Sequence, residues 1–64
     1  MIVNGREREH RDGLTLHALL EELKIDRGKV AVMRGDDVWK RGSIPDVPLA
    51  KADVIEIVTM MQGG

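Results

Sequence analysis

The chain has 64 residues and no Cys, with ten Lys plus Arg against eleven Asp plus Glu, two His, and one Trp as its sole aromatic residue. A chain this short makes one small domain with a thin core, which excludes a deep active site built from many residues; without Cys there is no disulfide, thiolate metal site or thiol nucleophile. Balanced charge argues against non-specific nucleic-acid binding, and the sequence has neither a membrane-spanning apolar run nor a signal-peptide pattern, so the expectation is a cytoplasmic protein bound to neither nucleic acid nor membrane.

Met1-Ile2-Val3 is a short apolar run ended by Asn4-Gly5. Asn-Gly between strand-like segments is a strong hairpin signal, because both residues tolerate positive φ. The stretch Arg6-Glu7-Arg8-Glu9-His10-Arg11 has no apolar residue. It is expected as a charged edge strand, with Asp12-Gly13 as the turn that closes it. From Leu14 the period changes: Leu16, Leu19, Leu20 and Leu23 fall at i, i+3, i+4 and i+7, one stripe of an amphipathic helix. Thr15 is the expected N-cap, and the helix should stop near Lys24, ahead of the turn chemistry of Asp26-Arg27-Gly28. Ile25 then covers the end of the core.

Lys29 to Arg34 reads as a buried strand, turned by Gly35-Asp36-Asp37 into a strand over Val38 to Arg41. Gly42 to Asp53, punctuated by Pro45 and Pro48, reads as an irregular connection with a short turn of 3₁₀-helix, anchored by Leu49. Val54 to Met61 is the segment richest in β-branched residues, and Gln62-Gly63-Gly64 follows it. The order strand, strand, helix, strand, strand, strand implies an α+β fold of the β-grasp type. Its mixed sheet has four to five strands with one helix packed on one face, and the first and last strands lie parallel at the centre. The expected core is Ile2, Leu16, Leu19, Leu20, Leu23, Val30, Val32, Leu49, Ile55 and Ile57. Residues 1–62 form the single domain and residues 63–64 a flexible tail.

The terminal pair admits two readings. Two glycines make a thin rod without Cβ atoms, able to enter a narrow channel and present the Gly64 carboxylate to a reactive centre in another protein. The plainer reading is an ordinary chain end. If Ile55 and Ile57 point inward, alternation puts Val58 and Met60 outward, with Ala31 and Met33 as neighbours, and such a face would suit docking to more than one partner. Against that stands the simpler view that Met60 and Met61 finish the edge of the core. Arg41 is a candidate contact to acidic groups of a partner. Trp39 reads as a half-buried packing residue, and His10 and His17, with no second ligand at metal spacing, as solvated side chains. Asp36-Asp37 is a turn without calcium-loop periodicity. No residues are expected to be catalytic, and none to hold a metal.

Taken together, Ile2-Val3-Asn4-Gly5, the helix Thr15 to Leu23, Val30-Ala31-Val32, Val38-Trp39-Lys40-Arg41, Ala52 to Val58 and the terminal Gly63-Gly64 resemble the ThiS family, the ubiquitin-like sulfur carriers of thiamine biosynthesis. The resemblance covers the whole chain, and the diglycine in register with the last strand is its specific part. Two departures are visible: Ala52-Asp53 stands where the family usually has Gly-Asp, and Arg6 to Arg11 lacks the usual apolar residues. The resemblance implies a carrier, not an enzyme. Its Gly64 carboxylate would be adenylated by an ATP-dependent ThiF-like adenylyltransferase, converted by a persulfide sulfur donor to a thiocarboxylate, and used by a ThiG-like thiazole synthase. It would bind no cofactor of its own and be a monomer when alone. A MoaD-like carrier for molybdopterin, a protein modifier conjugated through Gly64, and a plain interaction module are the alternatives.

Overall fold

The computed structural model describes residues 1–59. A five-stranded sheet forms from β1 (Ile2–Val3), β2 (Arg6–Glu7), β3 (Val30–Arg34), β4 (Asp37–Trp39) and β5 (Val54–Thr59), in the order β2-β1-β5-β3-β4. β1 runs parallel to β5, and the other neighbouring pairs are antiparallel. β5 is thus the central strand, as the β-branched content of its sequence implies. One helix, α1 (Leu16–Glu22), packs its buried Leu16, Leu19 and Leu20 into the core formed with the sheet. The arrangement is the expected mixed sheet with one helix, the β-grasp.

The local signals are realised in detail. Asn4 and Gly5 adopt φ of 53° and 80°, the left-handed pair that a two-residue hairpin needs. Thr15 caps α1, its side chain accepting from the amide of Ala18. The C-terminus of α1 closes on Lys24, at φ 59°: the Lys24 amide donates to Glu21 and the Ile25 amide to Leu20, a Schellman pattern with lysine where glycine is commoner. Ile25 packs against the core, as expected.

The structure corrects several boundaries. Only Arg6 and Glu7 of the charged stretch pair as a strand, because β1 offers just Ile2 and Val3 as partners. β4 covers Asp37 to Trp39, one residue earlier than expected, and Lys40 and Arg41 lie beyond it. The 3₁₀ turn sits at Arg27–Lys29, capped by the Asp26 side chain, and no 3₁₀ turn occurs between Gly42 and Asp53. Within that irregular connection Leu49 is buried as expected, but Ile44 is a second anchor.

The core also differs at its margins. Val3 and Met1 are buried and Ile2 is not, so β1 turns the opposite way from the expected register. Its parallel pairing sets this: Val3 lies opposite the fully buried Ile55, and Ile2 opposite the exposed Val54. Leu23 is half-buried at the core's edge, and Leu14 joins the buried set.

Candidate functional site

The face of the sheet away from α1 is the first place to look. Along β5 the burial alternates, with Ile55 and Ile57 inward and Val54, Glu56 and Val58 outward. Val58 pairs with Ala31 and Glu56 with Met33, while Met33 pairs in turn with Val38. The outward positions Ile2, Ala31, Met33, Val38, Val54 and Val58 therefore share one face, interrupted by Glu56. Val38, Val54 and Val58 are 61%, 53% and 42% exposed, which no solvated strand requires of β-branched side chains. Of the residues singled out in the sequence, Val58 and Met33 come together here. Arg41 does not lie on these strands; it is exposed in the turn after β4. Met60, Gly63 and Gly64 lie outside the described residues. Sequence reasoning missed Ile2, Val38 and Val54, although the alternation of Val38 against Trp39 was a usable signal.

The end of the sheet where β5 runs out is built by three elements. Thr59 lies opposite Val30, the first residue of β3, so Lys29 stands at the same end. Past Val3 the chain turns away at Asn4-Gly5, and β5 would lose its partner on that side. The Asn4 side chain replaces it, its Oδ1 accepting from the amide of Ile57 at 2.6 Å. β4 reaches this end as well, since Trp39 pairs with Val32 and the chain continues into Lys40 and Arg41. The Gly42 amide of that turn donates to the carbonyl of Arg27, tying it to the 3₁₀ turn.

Trp39 packs half-buried against the core, as expected, with the Arg34 guanidinium 5.3 Å from its ring centre. Arg34 also donates to the carbonyl of Pro48 and stands 3.6 Å from Asp53 and 3.8 Å from Asp37. The two histidines are corrected: both are half-buried and hold the irregular connection. The Nε2–H of His17 donates to the Ile44 carbonyl at 2.7 Å, and that of His10 to the Leu49 carbonyl at 2.8 Å, since a carbonyl oxygen can only accept. Asp46 accepts from the His17 amide, and a hydrogen bond from the Thr15 side chain is the main reason its carboxyl is held below the usual range. Of the charged stretch, Arg11 pairs with Glu22 of α1.

None of this makes a catalytic constellation. Among the described residues no three His, Asp or Glu side chains gather to hold a metal ion. The clefts are open to solvent; one of about 470 Å³ lies between the 3₁₀ turn and the turn after β4, lined by His17, Asp26, Arg27, Gly28 and Gly42 among others. Among the described residues no helix is long and apolar enough to cross a membrane. What the arrangement can do is present an apolar sheet face and deliver whatever follows Thr59 from the centre of the sheet.

Known proteins share this sequence. The model of the ThiS family matches residues 1–64. A protein described as sulfur carrier protein ThiS, from Thermus thermophilus, is 39% identical over 62 residues, covering 97% of this chain and 95% of that one. A protein described as thiazole synthase, from Paramagnetospirillum magneticum, is 38% identical over 64 residues, covering 100% of this chain and 20% of that one.

Proposed function

The chain belongs to the ThiS family, and from that premise we propose that it is a sulfur carrier for formation of the thiazole of thiamine, with Gly64 as the residue that carries the sulfur. The match of the family model over all 64 residues, Gly63-Gly64 included, carries this reading. A likeness over the full chain to one fifth of a thiazole synthase supports thiazole synthase as the destination, since a segment like this one occurs in the same polypeptide as that enzyme.

The chemistry follows from the weakness of a carboxylate as an electrophile. The Gly64 carboxylate attacks the α-phosphorus of ATP on a ThiF-like adenylyltransferase, and pyrophosphate leaves. A persulfide sulfur then attacks the resulting acyl-adenylate and expels AMP. A thiol opens the acyl disulfide so formed, becoming a disulfide itself and leaving the thiocarboxylate. The carrier supplies no catalytic group and no cofactor of its own; ATP belongs to the adenylating enzyme. Its own contribution is the thin Gly63-Gly64 rod and a docking surface, for which the apolar face around Met33 and Val58, with Met60 and Arg41, is the proposed choice.

Intact mass spectrometry tests the reading. The protein is incubated with ATP, a sulfide source and extract of its source organism. The expected result is a gain equal to one sulfur replacing one oxygen, located on Gly64 and lost when ATP is omitted. An unchanged mass, in an extract that activates a known carrier, would refute it. Conjugates to lysines of other proteins would point instead to a modifier. Transfer of the sulfur to a molybdopterin precursor and not to a thiazole would reassign the pathway.

A further inference from the structure

The charges of this protein are sorted along the strand axis. At the end where β5 runs out, Arg27 and Lys29 of the 3₁₀ turn and Lys40 and Arg41 of the turn after β4 are all exposed. The Gly42–Arg27 hydrogen bond holds the two turns against each other, and the register of Val30 with Thr59 puts them beside the last described residue of β5. Among the described residues none of these four cations forms an ion pair, whereas Arg11 and Arg34 do. The nearby acids are occupied: Asp26 accepts from the Gly28 amide, and Asp46 from the His17 amide and the Thr15 side chain. The opposite end, at the β3–β4 turn and the start of β5, carries Asp36, Asp37 and Asp53. A chain of net charge −1 thus has a positive end and a negative end.

We propose that Arg27, Lys29, Lys40 and Arg41 form a cationic rim that docks on an acidic protein surface surrounding the tail channel of the adenylating enzyme. This rests on the carrier reading above. Four uncompensated cations in a chain whose charges otherwise balance have no folding role in the structure, and their position at the exit of β5 leads the tail first into any acidic entrance. Long-range attraction of this kind raises the encounter rate and fixes the orientation more than it strengthens the final complex. It acts on the carrier before its carboxylate reaches the nucleotide, so it should appear in KM for the carrier and leave kcat in place.

The test is steady-state adenylation by the ThiF-type enzyme of the same organism, followed by pyrophosphate release, with full-length carriers varied in concentration and in salt. The double variant Lys40→Gln/Arg41→Gln should raise KM for the carrier several-fold, and adding Arg27→Gln and Lys29→Gln should raise it about tenfold or more, with kcat unchanged. Wild-type kcat/KM should fall as salt rises, and that of the fourfold variant should hardly respond. Arg6→Gln/Lys51→Gln, which removes equal charge elsewhere on the surface, should behave as wild type. Thermal unfolding of each variant reports whether the fold is kept. An unchanged KM and salt response in a folded fourfold variant would overturn the rim, as would an equal effect of the control pair. A rise in KM for ATP with none for the carrier would overturn it too, by assigning these cations to the nucleotide. If wild type itself is not adenylated, the carrier reading fails and the rim with it; adenylation of wild type alongside an inert rim would reject the rim alone.

Discussion

The two faces of β5 are made of nearly the same chemistry and meet opposite fates. Ile55 and Ile57 sit 0% and 8% exposed beneath α1, while Val54 and Val58, their neighbours in sequence, stand in water. The inward face has two covers, the Leu16, Leu19 and Leu20 stripe of α1 and the irregular connection that brings Ile44 and Leu49. Nothing among the described residues covers the outward face. Apolar surface that folding does not bury adds no folding stability, so the difference separates residues that hold the protein together from residues free to serve a partner.

That separation can be broken most severely at Ile55. Ile55→Ala should cost about 2–5 kcal/mol, because a cavity opens where α1 and the sheet meet, and urea unfolding reads it as a lower midpoint. Asn4→Ala should cost less, about 1–3 kcal/mol, through the strained hairpin residue and the unpartnered amide of Ile57. Asn4→Gly relieves the first and keeps the second, so the gap between the two variants measures the strain. His17→Ala, which frees the Ile44 carbonyl from its donor, should cost about 1 kcal/mol, and hydrogen exchange should rise through the 42–53 connection.

Asp46 sharpens the comparison through pH. Its folded carboxyl is held below the ordinary value, so the deprotonated form favours the folded state. That contribution is complete above the unfolded value and is lost as pH falls through the folded one, in the acid range below the usual carboxylate pKa. Asp46→Asn should flatten the acid side of the stability profile, measured by thermal unfolding between neutral and strongly acid pH. The smallest effect belongs to the bare face. Val58→Ala should change stability by no more than about 0.5 kcal/mol, yet weaken binding to the adenylating enzyme or to thiazole synthase, read by titration calorimetry. A large loss of stability at Val58 with intact binding would reverse the assignment of the two faces.

Several elements were legible from local pattern because their causes are local. The spacing of Leu16, Leu19, Leu20 and Leu23 marks the helix, Thr15 its cap, and Asn4-Gly5 the hairpin. The alternation of Val54 to Val58 marks a strand with one inner and one outer face. The first strand resisted the same reading. Met1, Ile2 and Val3 are all apolar, so no period shows which of them points inward. The roles of His10 and His17 were hidden for a related reason: each meets a carbonyl 39 or 27 residues away, and no spacing within the sequence announces it. Of the candidate site, Gly63-Gly64 and Val58 could be singled out from pattern and resemblance, whereas Val38 and Val54 became part of the bare face only when register was known.

By itself the sequence determined which segments become helix, strand and turn, and that the chain closes on a diglycine after its strongest strand. Those outcomes depend on the period of apolar residues and on the φ preferences of single residues, which act over a few positions. Tertiary structure alone decided that Val3 and not Ile2 enters the core, that two histidines lock a distant loop, and that four cations from two separate turns gather where β5 ends. Each of these depends on hydrogen-bond register between segments far apart in the chain, and a shift of one residue would exchange the two faces.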